Sequence, residues 1–175
     1  PGTYHHCVMV SNMAEAAAEE IGANGLLARA GGYFHDVGKL ARPEYYIENT
    51  AGMPSRHDNL TPMMSALILT AHTRDGAQLA KEYGVPSPIR RIIREHHGYS
   101  VVEYFYTRAR KLAEETGDKT VSADAFRYRS PRPRSPESAI VLLADSVESA
   151  ARSLGKSSPN SIEKLVHSIV GKRLE

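Results

Sequence analysis

His35-Asp36 is the pair that draws the eye in this chain, because it sits beside Gly38 and Lys39 in the string Tyr33-Phe34-His35-Asp36-Val37-Gly38-Lys39-Leu40. A neutral imidazole next to a carboxylate suits Mn²⁺, Fe²⁺ or Zn²⁺. Neighbours on a helix point about 100° apart, so the pair addresses one site only if that site lies between their directions. A carboxylate offers two oxygens and can bridge two metals. An imidazole nitrogen cannot, which makes Asp36 the bridging candidate. The remaining ligands must come from elsewhere in the chain, and His6, His72, His96-His97 and Asp145 are available. Asp145 follows the apolar run Ile140-Val141-Leu142-Leu143-Ala144. A carboxylate at the edge of a core stripe is costly unless it is paired or ligates a cation.

The elements that must carry these residues read as helical almost throughout. Val8, Met9, Met13, Ala16, Ala17 and Ile21 recur at helical spacing, which predicts a helix from Tyr4 to Ile21 stopped by Gly22. Asn24 is placed to cap a second helix reaching about Asp36. Residues 42–59 read as a loop rich in Pro, Gly and Asn, with Tyr45, Tyr46 and Ile47 inside it. Thr61-Pro62, Ser87-Pro88, Ser135-Pro136 and Ser158-Pro159 each pair a capping hydroxyl with a proline suited to the first turn. They predict helices from 62 to about 83 with a break near His72, from 89 to 97, from 137 to 154, and from 159 onward. A further helix is expected from Val101 to Glu115, ended by Gly117. No alternating strand pattern and no internal repeat is visible. The expected fold is all-α, a single-domain helical bundle, and helical bundles build dinuclear sites from ligands on facing helices.

Composition narrows the function classes. Twenty-two Lys and Arg against 20 Asp and Glu give a net charge of +2, too balanced for a dedicated binder of nucleic acid polymers. The one cysteine, Cys7, excludes a disulfide framework and a cysteine-built zinc site within the chain. No apolar run approaches the about 18 residues of a membrane span. A start at Pro1 and an end at Glu175 read as a segment of a larger protein.

Longer strings point further. Gly2-Thr3-Tyr4-His5-His6, the string around His35-Asp36, Pro43-Glu44-Tyr45-Tyr46-Ile47-Glu48-Asn49, His96-His97-Gly98 and Leu143-Ala144-Asp145-Ser146-Val147-Glu148 stand in this order. The pattern resembles the HD-domain metal-dependent phosphohydrolases. Within them it is similar to the cytosolic domain of the seven-transmembrane HD phosphodiesterases, which hydrolyse cyclic di-AMP to linear pApA.

The resemblance implies a first metal site from His6, His35, Asp36 and Asp145. It implies a second from Asp36, His72 and His96, with His97 close by, and leaves open which of His96 and His97 ligates. It implies catalytic roles for Asp36 and Lys39, the latter matching a position that contacts a substrate phosphate. It further implies two divalent transition-metal ions (Mn²⁺, or Fe²⁺/Fe³⁺), a cyclic dinucleotide substrate, and a place at the cytoplasmic face of a bacterial membrane through segments outside this chain. Cys7 departs from the family, where serine usually follows the ligand histidine.

Other readings compete. Another HD phosphohydrolase could act on cyclic di-GMP, another cyclic dinucleotide or a nucleotide monophosphate, or the chain could be a non-catalytic nucleotide sensor. The cyclic di-GMP branch carries an acidic residue and a Gly-Tyr-Pro signature after its histidines. His97 is followed by Gly98-Tyr99-Ser100, which argues against that branch. His57-Asp58 reads as a turn-forming decoy, His5 as a neighbour or surface residue, and Cys7 as a small packed side chain. His167 carries no signal. The arginines of residues 127–134 read as a solvated loop or an anion-facing rim. Phe105 reads as core.

Overall fold

The computed structural model describes residues 2–50, 52–117, 120–154 and 158–174. Seven α-helices are present among them, and strand pairing is limited to one isolated bridge between Val101 and Arg127. They are α1 (Gly2–Glu20), α2 (Gly25–Phe34), α3 (Pro62–Glu82), α4 (Ser87–Glu95), α5 (Glu103–Thr116), α6 (Pro136–Leu154) and α7 (Pro159–Leu174). Among the described residues, no helix is long and apolar enough to cross a membrane.

Packing follows from side-chain size. α1 buries His6, Val10, Ala14 and Ala18, a stripe at intervals of four that faces α2 and α6. Small residues let the helices approach closely. A Cβ on Gly32 of α2 would stand 2.7 Å from the Ser11 Cα of α1, so only glycine fits there. The main core joins Val10, Ala14, Ala18 and Ala28 to Ile92 of α4 and to Ile140, Val141 and Ala144 of α6. A smaller cluster of Ala66, Phe105 and Phe126 seals α5 against α3. Phe105 is thus core, as expected. Fully burying a side chain such as Ile92 contributes about 1.5–3 kcal/mol.

Several helix starts are read correctly from the chain. Asn24 accepts from the Leu27 N–H at 2.9 Å, Thr61 from Met64 at 3.3 Å and Ser135 from Ser138 at 3.2 Å. Three expectations are corrected. α3 runs unbroken through His72, since the helix that holds this imidazole needs no kink to aim it. Ser87 is not the cap of α4: extended Pro86 occupies that position and puts Ser87 inside the first turn. α5 starts two residues late, at Glu103, because Val101 is held in the bridge with Arg127 rather than in a helical turn.

Residues 37–50 and 52–59 carry short 3₁₀ turns, Val37–Ala41, Pro43–Tyr45, Ile47–Asn49 and Arg56–Asn59. Tertiary ties hold them. The Thr3 N–H donates to Asn49 Oδ1, and the Asn49 amide donates to Thr3 Oγ1. Gly38 lets the first turn lie on α3, since a Cβ there would stand 2.0 Å from the His72 carbonyl oxygen. This contact sets Asp36 beside the middle of α3.

Candidate metal centre

Asp36 stands just past the end of α2 and is 2% exposed. The two edges of its carboxylate face different groups. Oδ2 lies 3.3 Å from His35 Nε2 and 3.5 Å from His6 Nε2. Oδ1 lies 3.4 Å from His72 Nε2 and 3.8 Å from His96 Nε2. Around Oδ2, the donor atoms of His6, His35 and Asp36 lie within 4.8 Å of one another, as do those of His72, His96 and His97 on the other side. Asp145 from α6 completes the first group, with Oδ1 3.2 Å from His6 Nε2 and 3.9 Å from His35 Nε2. Its other oxygen stands 3.6 Å from His97 Nδ1.

Four of the histidines are oriented by their far nitrogen. The Nδ1–H groups of His35, His72 and His96 donate to the carbonyls three residues earlier, Gly32 at 2.7 Å, Leu69 at 2.6 Å and Ile93 at 2.8 Å. His6 Nδ1 is engaged by the Glu148 carboxylate. With the proton held at Nδ1, the Nε2 atoms of neutral His72 and His96 present lone pairs to the centre, the arrangement in which imidazoles bind metals, while His35 turns its Nε2 to Asp36. His6 Nε2 and His35 Nε2 stand 3.2 Å apart, and His72 Nε2 and His96 Nε2 3.1 Å. At these separations each pair of nitrogens converges on a common point beside Asp36.

The electrostatics agree. Burial alone raises a carboxyl's pKa, but Lys39 and His35 outweigh it and hold Asp36 well below the usual carboxylate range. Asp145 is likewise raised by burial and lowered further by His6 and His97, so both stay ionised. Burial pushes His72 and His96 down and His97 to about 3, which leaves all three neutral. Burial also pushes His35 down, but Asp36 overrides it and holds the imidazole well above its ordinary value. Neither Asp36 oxygen has a hydrogen-bond partner, although the Lys39 ammonium stands 2.6 Å from Oδ2 as an ion pair. Oδ2 is thus paired, but a buried carboxylate oxygen left without a partner, as Oδ1 is, is expensive. A cation bound there would satisfy it. The all-N/O donor set and two ligand groups fit two divalent transition metals sharing Asp36.

Lys39 is nearly enclosed. Besides Asp36 it meets Glu48 Oε1 at 2.8 Å and lies 4.9 Å from the ring centre of Tyr46. Sequence reasoning passed over Glu48, Glu148 and Tyr128. Tyr128 stacks on His97 with ring centres 4.1 Å apart and meets His72 edge-on. Glu95 is buried at the end of α4 and accepts from the Arg134 N–H, which pins the chain leading into α6. Except for Glu48, nine positions from Lys39, the partners of these residues lie far along the chain, so no local pattern marks them.

The decoys fall outside the centre. His57 is buried against Phe105, and its Nε2 bonds the Tyr45 carbonyl; it ties two 3₁₀ turns together. His5 and His167 are exposed, and Cys7 is packed beside His35. Arg127 lines the cavity above the centre, while Arg129, Arg132 and Arg134 are exposed, so the stretch divides between the two readings offered for it.

Comparison with known proteins agrees with this geometry. The family model for the HD domain matches residues 3–150. The chain is 47% identical to the cyclic-di-AMP phosphodiesterase PgpH of Bacillus subtilis over all 175 residues, and 44% identical over 173 residues to that of Listeria monocytogenes. It spans 24% and 23% of those two proteins. The crystal structure of the Listeria PgpH HD domain in complex with cyclic-di-AMP superposes with a TM-score of 0.92 at 43% identity, covering 99% of this chain and 79% of that one. With its family model, its fold and its buried His-Asp centre in agreement, the chain belongs to the HD domain family.

Proposed function

We propose that this chain is the catalytic domain of a metal-dependent phosphodiesterase that hydrolyses cyclic di-AMP to linear pApA. The observation that carries the reading is the shared carboxylate: Asp36 offers one oxygen to each of two histidine clusters, buried beneath a cavity of about 1240 Å³ that His72, His97 and Asp145 line. The substrate identity is supported by the relatives named for that activity and by the ligand of the related crystal structure.

In this reading His6, His35, Asp36 and Asp145 hold one ion, and Asp36, His72, His96 and His97 hold the other. Mn²⁺ or iron suits the imidazole and carboxylate set. When bound, such a pair supplies Lewis acidity toward the phosphodiester and lowers the pKa of water. The protein's own groups do the rest. Glu148 and the helix carbonyls fix the imidazole tautomers. Glu48 keeps the Lys39 ammonium charged and aimed at the centre, where it meets a non-bridging phosphate oxygen. Tyr46 and Tyr128 wall the cavity side of the centre with aromatic surface against His72. The domain is read as the cytosolic part of a larger membrane protein, on the strength of the family resemblance.

The test is a panel of cyclic di-AMP, cyclic di-GMP, a mixed cyclic dinucleotide and nucleotide monophosphates, incubated with the Mn²⁺-loaded chain and read by product chromatography. Cyclic di-AMP is expected to be consumed fastest, with pApA as product. Faster turnover of another member would reassign the substrate, and binding without turnover of any member would make the chain a sensor.

A further inference from the structure

The cavity above the metal centre has a wall that catalysis at the centre does not account for. α7 turns one face toward it, made of Ile169, Lys172 and Arg173 at positions i, i+3 and i+4. Opposite, α6 presents Ser146, Ser149 and Ser153, a small hydroxyl-bearing strip that starts one residue beyond Asp145. Arg173 reaches across, and its Nη2 donates to Ser146 Oγ at 3.3 Å. Among the described residues, neither Lys172 nor Arg173 has a carboxylate within ion-pair distance. The carboxylates lining the cavity are Asp145, at its floor, and Glu103. Basic residues in the last turn of a helix suit its dipole on any face. That explains their presence near the C-terminus of α7 but not their shared side, which is the cavity side.

A cyclic dinucleotide carries two phosphodiesters on opposite sides of its ring, and the metal centre can serve one at a time. The other must rest farther out in the same cavity, where its charge needs a partner. We infer that Lys172 and Arg173 of α7 hold this second phosphodiester and thereby select two-phosphate cyclic substrates over simple diesters. The guanidinium fork of Arg173 matches two phosphate oxygens, Lys172 adds a mobile charge, and the serine strip of α6 leaves width for the ring. The inference rests on the proposed phosphodiesterase reading and names the substrate feature that the α7 end of the cavity recognises.

The experiment compares the wild-type chain with a Lys172→Gln/Arg173→Gln double variant, both loaded with Mn²⁺. The substrates are cyclic di-AMP and bis(p-nitrophenyl) phosphate, a diester with no second phosphate. The ratio of kcat/KM for cyclic di-AMP to that for the simple diester is expected to fall about tenfold in the double variant, through KM, on the scale of one lost charge-assisted hydrogen bond. Equilibrium binding of cyclic di-AMP should weaken to the same extent, and Arg173→Lys should recover part of the loss. An equal loss on both substrates, or no change on either, overturns the inference. A wild-type chain that binds cyclic di-AMP but does not hydrolyse it refutes the phosphodiesterase reading alone, and the binding comparison then decides the role of α7. A wild-type chain that does not bind it overturns both.

Discussion

The two halves of the metal centre are built from different materials. The first half sets His6 and His35 against two carboxylates, Asp36 Oδ2 and Asp145 Oδ1. The second sets His72, His96 and His97 against Asp36 Oδ1, with Asp145 Oδ2 reaching only His97, at 3.6 Å. Their supports differ as well. His6 is oriented by a side chain, Glu148, which also meets Arg152 at 3.3 Å, whereas His72 and His96 are oriented by carbonyls of their own helices. A divalent ion is attracted more strongly by two buried negative charges than by one. The first half is therefore expected to be the tighter of the two candidate sites, tuned by a replaceable side chain. The second is expected to be the weaker, and to depend on the path of α3.

The comparison is most exposed at the residue both halves share. Asp36→Asn should empty both sites and lower turnover by at least about 10³-fold, more than the loss of a single electrostatic donor. Metal analysis beside a turnover assay checks this. Retention of one full equivalent of metal would show that the carboxylate is not shared. Glu148→Gln should act on one half only, weakening metal affinity about 10- to 100-fold at the first site and leaving the second in place. A metal titration that shows two weakened sites would break the asymmetry.

Gly38→Ala tests the other half. The new Cβ would meet the His72 carbonyl at 2.0 Å, so α3 must shift. Thermal unfolding should report a loss of about 1–3 kcal/mol, with the second metal lost before the first. The smallest effect is expected from Asn24→Ala, which removes the cap of α2 and costs about 1 kcal/mol. Because the cap lies far from both clusters, the metal affinities measured in the same protein should not separate.

Much of the helical frame was legible because helix ends are local chemistry. Asn24, Thr61 and Ser135 sit where their side chains meet a free N–H one turn on. The same signal misled at Ser87, since extended Pro86 precedes it and takes the cap position. Residues 37–59 were opaque for another reason. Their 3₁₀ turns are held by partners outside the segment, Thr3 and α3, and carry little periodicity of their own. The candidate ligands were legible as types, because His and Asp at core-facing positions need a partner. Glu148 was not, since its contact with His6 spans 142 positions and an exposed-looking glutamate on α6 gives no local sign of it.

By itself the sequence determined the all-α class, the order of the helices, the set of His and Asp residues able to bind metal, and Asp36 as the group able to bridge. Those properties depend on side-chain chemistry and on contacts within a few turns. Only the tertiary structure decided which oxygen of Asp36 faces each group of candidate ligands, which groups fix the imidazoles, and that α7 turns a basic face toward the same cavity. These depend on how closely helices approach, which is set by small residues such as Gly32 and Gly38 packing against backbone far along the chain. Such contacts form only when the whole bundle closes.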